Sequence, residues 1–160
     1  MNDGKKLRRR LEDNLHICGL GVIILGAWNV LKVLLQVALG FKDVFNSGFV
    51  EETWEVAVLA VVITIAVLLL ICFLLFWVHF YIGRNASKAA KGLPYKKGYY
   101  VWAIIILVIS ILSMYGYIYE FQDLRNIDTV VASIIVDITL IYVLFGVISS
   151  TRKLRSMGTV

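Results

Sequence analysis

The sequence predicts an all-α membrane protein, a four-transmembrane-helix bundle with both termini on the cytoplasmic side. Three observations carry this. Apolar residues make up 60% of the chain, against about half in soluble domains. They gather into runs of roughly twenty residues, the length a helix needs to cross a hydrocarbon layer of about 30 Å. The basic residues are sorted as well, with thirteen of the 16 in segments that alternating runs place on one side, the side on which short basic loops are retained.

The first run, 15–39, follows Lys5, Lys6, Arg8, Arg9 and Arg10. A basic stretch ahead of an apolar one resembles a secretory signal, but this run exceeds the roughly 7–15 residues of a signal core and no A-x-A site follows it. It reads as an uncleaved signal anchor. Gly19 and Gly26 stand two turns apart on it, which predicts close, left-handed antiparallel packing. Beyond it, Phe41, Val44, Phe45 and Phe49 fall at helical spacing before Trp54, which fits either a short helix in the outer interface or a simple turn.

The second run, 56–82, opens after Glu51, Glu52 and Glu55, acidic residues that suit the positive end of a helix dipole. A basic helical continuation through Lys91 is expected to stop at Gly92, with Pro94 just beyond. Ala57, Ala60 and Thr64 form a small-residue stripe suited to ordinary helix contact. The third run, 99–119, begins after Lys96 and Lys97, which oppose its dipole by about 0.3–1 kcal/mol each. Ser110, Ser113 and Gly116 form a comparable stripe there. The fourth run is 129–148. Runs of this length argue against a barrel, whose strands need only about ten alternating residues.

Charge sets the orientation. The amino-terminal tail, the 84–98 loop (Arg84, Lys88, Lys91, Lys96 and Lys97) and the carboxyl tail (Arg152, Lys153 and Arg155) hold the basic residues. The other loops carry Lys42 and Arg125 against Asp43, Glu51, Glu52, Glu55, Glu120, Asp123 and Asp128. Positive-inside sorting of this kind is a topology signal, and no nucleic-acid partner is expected from the net charge of +5. Aromatic residues collect at the same boundaries: Trp77, Phe80, Tyr81, Tyr99, Tyr100 and Trp102 inside, Trp54, Tyr115, Tyr117 and Tyr119 outside. Arg8, Arg9, Arg10, Arg84, Lys88, Lys91, Lys96 and Lys97 are expected to meet anionic headgroups on the cytoplasmic side. Asn85-Ala86-Ser87 matches a glycosylation sequon, unused on that side. The expected location is the plasma (cytoplasmic) membrane.

Two formal charges lie well inside the apolar runs, Lys32 in the first and Asp137 in the fourth. Each sits eight residues from the outer end of its run, at Gly40 and Thr129, so both come roughly 12 Å below the outer boundary at 1.5 Å per residue. An unpaired charge there costs about 2.5–3.5 kcal/mol on insertion scales, which favours a Lys32–Asp137 ion pair facing the bundle interior. Asn29 and Gln36 share the face of Lys32, and Ser133 lies one turn from Asp137, completing a polar cluster. Such a cluster either fixes helix register and partner choice or lines an ion, proton or substrate pathway.

Other chemistry is poorly represented. Cys18 and Cys72 fall inside apolar runs, where neither a disulfide framework nor a zinc cluster is expected. Cys72 and His79 share a face but stand two turns, about 10 Å, apart, too far for common ligation, and His16 has no carboxylate motif beside it, so no metal or cofactor is expected. No G-x-S-x-G, phosphate-binding glycine loop or paired intramembrane carboxylates occur, and an enzyme is not expected. No run contains proline, whereas many transporters bind substrate at broken helices. The leading expectation is therefore a small multi-pass protein acting through helix–helix contacts as scaffold, accessory subunit or homo-oligomer. The alternative is a small oligomeric ion- or proton-coupled transporter or channel using the Lys32/Asp137 cluster. A third class, a sensor binding a ligand through the loop from Phe41 to Trp54, ranks last.

Overall fold

The computed structural model describes residues 3–48, 54–117 and 127–158. They form four helices in chain order, α1 (Asp3–Gly48), α2 (Trp54–Ala90), α3 (Tyr99–Ser113) and α4 (Ile127–Ser156). Within α1, α2 and α4, the stretches Gly4–Leu35, Val58–Ala90 and Val130–Ser156 are long and apolar enough to cross a membrane, the feature of an integral membrane protein. Helix α3 is apolar but has 15 residues, about 22 Å at 1.5 Å per residue. Of the third expected run, 99–119, residues 99–113 are helical, 114–115 form a turn and 116–117 are helical again. After Ser113 the chain tightens into a turn in which the Met114 and Tyr115 N–H groups bond three residues back, to Ile111 and Leu112. Residues 118 and 119 lie outside the described residues.

Helix α1 departs from expectation at both ends. It begins at Asp3, and its basic first turns hold an Arg8–Glu12 ion pair at 2.8 Å, the spacing at which helix neighbours meet. At the other end it continues through Gly48, where a separate interfacial helix or a turn was expected. No proline interrupts 40–48, the apolar residues there keep the helical period, and a lone glycine such as Gly40 weakens a helix by only about 1 kcal/mol. Residues 49–53 of the expected outer loop lie outside the described residues.

The end of α2 follows its residues. Gly92 adopts φ 65°, a conformation in which side chains are strained. Its N–H bonds to the Ala89 carbonyl at 3.1 Å, and the Leu93 N–H to the Lys88 carbonyl at 2.9 Å. This paired closure satisfies the last carbonyls of the helix before Pro94.

The chain divides into two units. The first comprises Met1–Leu25 and His79–Val160. Its core contains Leu15, Val22, Ile82, Tyr99, Leu144 and Leu154, all fully buried. Within it α1 and α4 run antiparallel: Asn14 bonds to Ser150, a Cβ on Gly146 would lie 2.6 Å from the Cys18 sulfur, and one on Gly21 would lie 3.1 Å from Val143. Helices α3 and α4 are antiparallel too, with Tyr99 bonded to Thr151 and Tyr117, beyond the end of α3, bonded to Asp137. Helix α1 crosses α2 at two glycines, since a Cβ on Gly19 would stand 2.9 Å from the Gly83 carbonyl oxygen. Small residues permit such backbone approach.

The second unit, Gly26–Val78, contains the rest of α1 and the first part of α2. Cys72 is buried there, whereas Leu59, Val62, Ile63, Leu69, Leu70 and Phe73 are exposed. These exposed residues share one broad face of α2, flanked by the exposed Val58, Ile65, Val67 and Ile71, while Val61, Leu68 and Cys72 on the opposite face are half-buried or buried.

Candidate functional site

Asp137 projects from the middle of α4 and is buried, as is Ser133 one turn before it. The Tyr117 hydroxyl donates to an Asp137 carboxylate oxygen. This tyrosine was assigned to the outer aromatic belt by its position in the sequence. The structure corrects that: Tyr117 is buried, and its ring is spent on packing while its hydroxyl serves a buried acid. A buried carboxylate with a charge-assisted donor is far better tolerated than one left without.

Lys32 and Asn29 are half-buried on α1 and belong to the second unit, whereas Asp137 and Ser133 belong to the first. The side chain of Gln36 lies outside the described residues.

A second polar group, unforeseen in the sequence, lies towards the other end of the first unit. The Asn14 side-chain amide donates to the Ser150 hydroxyl at 2.8 Å, and the Cys18 thiol donates to the Asn14 side-chain oxygen at 3.7 Å. Nearby in the sequence, Tyr99 and Thr151 share a hydrogen bond of 2.9 Å between two fully buried hydroxyls. Tyr99 is thus a core residue and not a member of the inner aromatic belt. Trp77, Trp102 and Tyr115 remain exposed as belt residues would be. The Nδ1 atom of His16 and the hydroxyl of Ser87 are buried with no hydrogen-bond partner among the described residues.

Asn85 has a structural role in place of a modification role. Its amide donates to the Tyr81 carbonyl at 2.8 Å, and its side-chain oxygen accepts the Lys96 N–H at 2.9 Å. The asparagine thereby ties the loop to the last turns of α2, and its burial withdraws the sequon amide from any modifying enzyme.

The expected headgroup contacts sit at helix ends and are mostly open. Arg9, Arg10, Arg84, Lys91, Lys96 and Lys97 are exposed, with Lys88 half-buried and Arg8 paired to Glu12. Two arginines lie over aromatic rings, Arg84 at 5.9 Å from the Phe80 centroid and Arg155 at 4.8 Å from that of Tyr100, within the range of cation–π attraction. Arg155 was not among the residues expected to bind headgroups. It belongs with Lys97, Gly98, Tyr100 and Val101, which line one cleft of about 540 Å³. Among the described residues no three His, Cys, Asp or Glu side chains are grouped to hold a metal ion.

No family model, curated protein or solved structure matches this chain.

Proposed function

We propose that this protein is a four-span membrane protein, with both termini in the cytoplasm, that acts through helix–helix contacts as a homo-oligomer or as the accessory or scaffolding subunit of a membrane partner. The supporting observation is the surface of α2. Between Val58 and Phe73 most of its apolar side chains are exposed, with Val61, Leu68 and Cys72 on one face half-buried or buried, and so broad an exposed apolar surface belongs among lipids or other apolar helices. Lipid tails alone satisfy such a surface, so a helix partner is selected by close packing at small residues. Ala60 and Thr64 supply such a strip, and the Thr64 hydroxyl is already bonded to the Ala60 carbonyl at 2.8 Å. No catalytic step belongs to this reading.

The test is the mass of the assembly. In nanodiscs or mild detergent, native mass spectrometry is expected to find more than one chain or a bound partner. Ala60→Phe is expected to shift the population to free monomer without unfolding it. A wild-type monomer carrying no partner removes the proposal. For orientation, single cysteines placed at Lys91 and Ser156 are expected to react with a membrane-impermeant thiol reagent from the cytoplasmic side only, with the buried Cys18 and Cys72 as a quiet background.

One observation favours a second reading. A buried carboxylate that accepts from a tyrosine, Asp137 with Tyr117, is the chemistry of a proton-carrying group, and ionisable residues in membrane helices are functional candidates by default. In this reading Lys32, Asp137, Asn29, Gln36 and Ser133 line an ion- or proton-coupled pathway between subunits, and Lys32 pairs with Asp137.

A further inference from the structure

A concentration of positive charge lies where α3 begins and α4 ends. Lys96 and Lys97 immediately precede α3, whose N-cap is Gly98 with no side-chain cap and whose first turn holds no acidic residue. A helix start carries about half a positive charge from its aligned peptide dipoles, so the two lysines add like charge to like. Arg155, from the last turn of α4, brings a third cation. The negative end of the α4 dipole offsets only about half a charge of it. Among the described residues neither Lys97 nor Arg155 has a carboxylate partner, Arg8–Glu12 being the ion pair found there.

The same residues surround an open cleft. Lys97, Gly98, Tyr100, Val101 and Arg155 line a volume of about 540 Å³, within the roughly 300–1,000 Å³ of small-molecule sites. Tyr100 holds Arg155 by its ring, with the guanidinium carbon 4.8 Å from the centroid. A guanidinium placed over a ring keeps its N–H edge for a planar or tetrahedral oxyanion, and arginine recognises phosphate through such paired donors. The Tyr99 and Tyr100 N–H groups at the helix start are bonded to the Lys96 and Lys97 carbonyls, each at 3.3 Å, so an anion in the cleft is held by the cationic side chains. The exposed Val101 and Trp102 beside it give the cleft an apolar flank, as an interfacial ligand requires.

We infer that this cleft is a binding site for a phosphate group, held by Arg155 and Lys97 at the start of α3, with Tyr100 positioning Arg155. The group can be the headgroup phosphate of an anionic phospholipid or a soluble phosphate. The site does not depend on oligomerisation or on transport.

The experiment uses the full chain in nanodiscs. In one arm, phosphatidylglycerol is titrated into phosphatidylcholine discs and the lipid retained per chain is counted by native mass spectrometry. In the other, inorganic phosphate is titrated into phosphatidylcholine discs while the Gly98 amide and Arg155 side-chain resonances are followed by NMR. Saturable binding at about one site per chain is expected in at least one arm; phosphatidylglycerol alone identifies a lipid site, and phosphate alone a soluble ligand. Lys97→Gln and Arg155→Gln should each weaken binding about tenfold, as loss of a charge-assisted bond does, whereas the neighbouring Lys153→Gln should change it less than about twofold. Tyr100→Phe should retain affinity and Tyr100→Leu lose part of it. No saturable binding in either arm, or an equal loss with Lys153→Gln, overturns the site.

Discussion

Gly19 of α1 and Gly83 of α2 lie backbone to backbone, so that a Cβ on either would be driven onto the carbonyl oxygen of the other. Gly83→Ala gains about 1 kcal/mol of helix propensity but overfills the crossing, at about 1–3 kcal/mol. Because the obstructing atom is backbone, little relaxation is available and the net effect should be a loss. Unfolding in detergent titration is expected to show Gly83→Ala and Gly19→Ala destabilised. Gly4→Ala, where nothing stands within 4 Å, should be unchanged or slightly stabilised. A stabilised Gly83→Ala protein would show that the helices do not cross there.

Asn85 joins two segments through one side chain, accepting from the Lys96 amide and donating to the Tyr81 carbonyl. Asn85→Ala should therefore lower stability by about 1–2 kcal/mol and accelerate hydrogen exchange at the Lys96 amide. Asn85→Asp keeps the acceptor and loses the donor, so Lys96 should stay protected while part of the stability is lost. Equal exchange at Lys96 in all three proteins would mean that the loop is held by something else.

The apolar helices were legible because hydrophobicity is a property of consecutive residues. The stop of α2 was legible because Gly92 and Pro94 act locally. Gly83 was hidden because Arg84 beside it reads as the end of an apolar run, so its packing role has no signal in hydropathy. Tyr99 and Tyr117 misled for a related reason: a tyrosine near a membrane boundary fits the interface unless a partner hydroxyl or carboxylate lies within reach. Those partners, Thr151 and Asp137, are far along the chain. Lys32 and Asp137 were conspicuous as charges in apolar runs, but pairing is a matter of tertiary placement that spacing along each helix does not encode.

Tyr99 and Thr151 offer a test of that kind of tertiary tie. Both are fully buried, and their hydroxyls share one hydrogen bond. Tyr99→Phe and Thr151→Val each remove one partner and leave the packed shape nearly intact. In a double-mutant cycle on detergent unfolding, the coupling is expected to be about 1 kcal/mol. A coupling near zero would mean that each hydroxyl is satisfied independently of the other.

Tyr117 and Asp137 separate the two functional readings. Tyr117→Phe withdraws a donor from a buried carboxyl group and should destabilise the protein by about 1–3 kcal/mol. Asp137→Asn keeps an oxygen that can accept from Tyr117, so the fold should survive it, while the ionisable group is lost. In proteoliposomes loaded with a pH-sensitive dye, the helix-contact reading expects no ion-dependent proton flux in the wild type and none in the variant. The transport reading expects a wild-type flux that Asp137→Asn and Lys32→Met abolish in protein that is still folded. Because the carboxamide preserves the hydrogen bond but cannot exchange a proton, a flux that persists in Asp137→Asn would exclude this acid as the carrier.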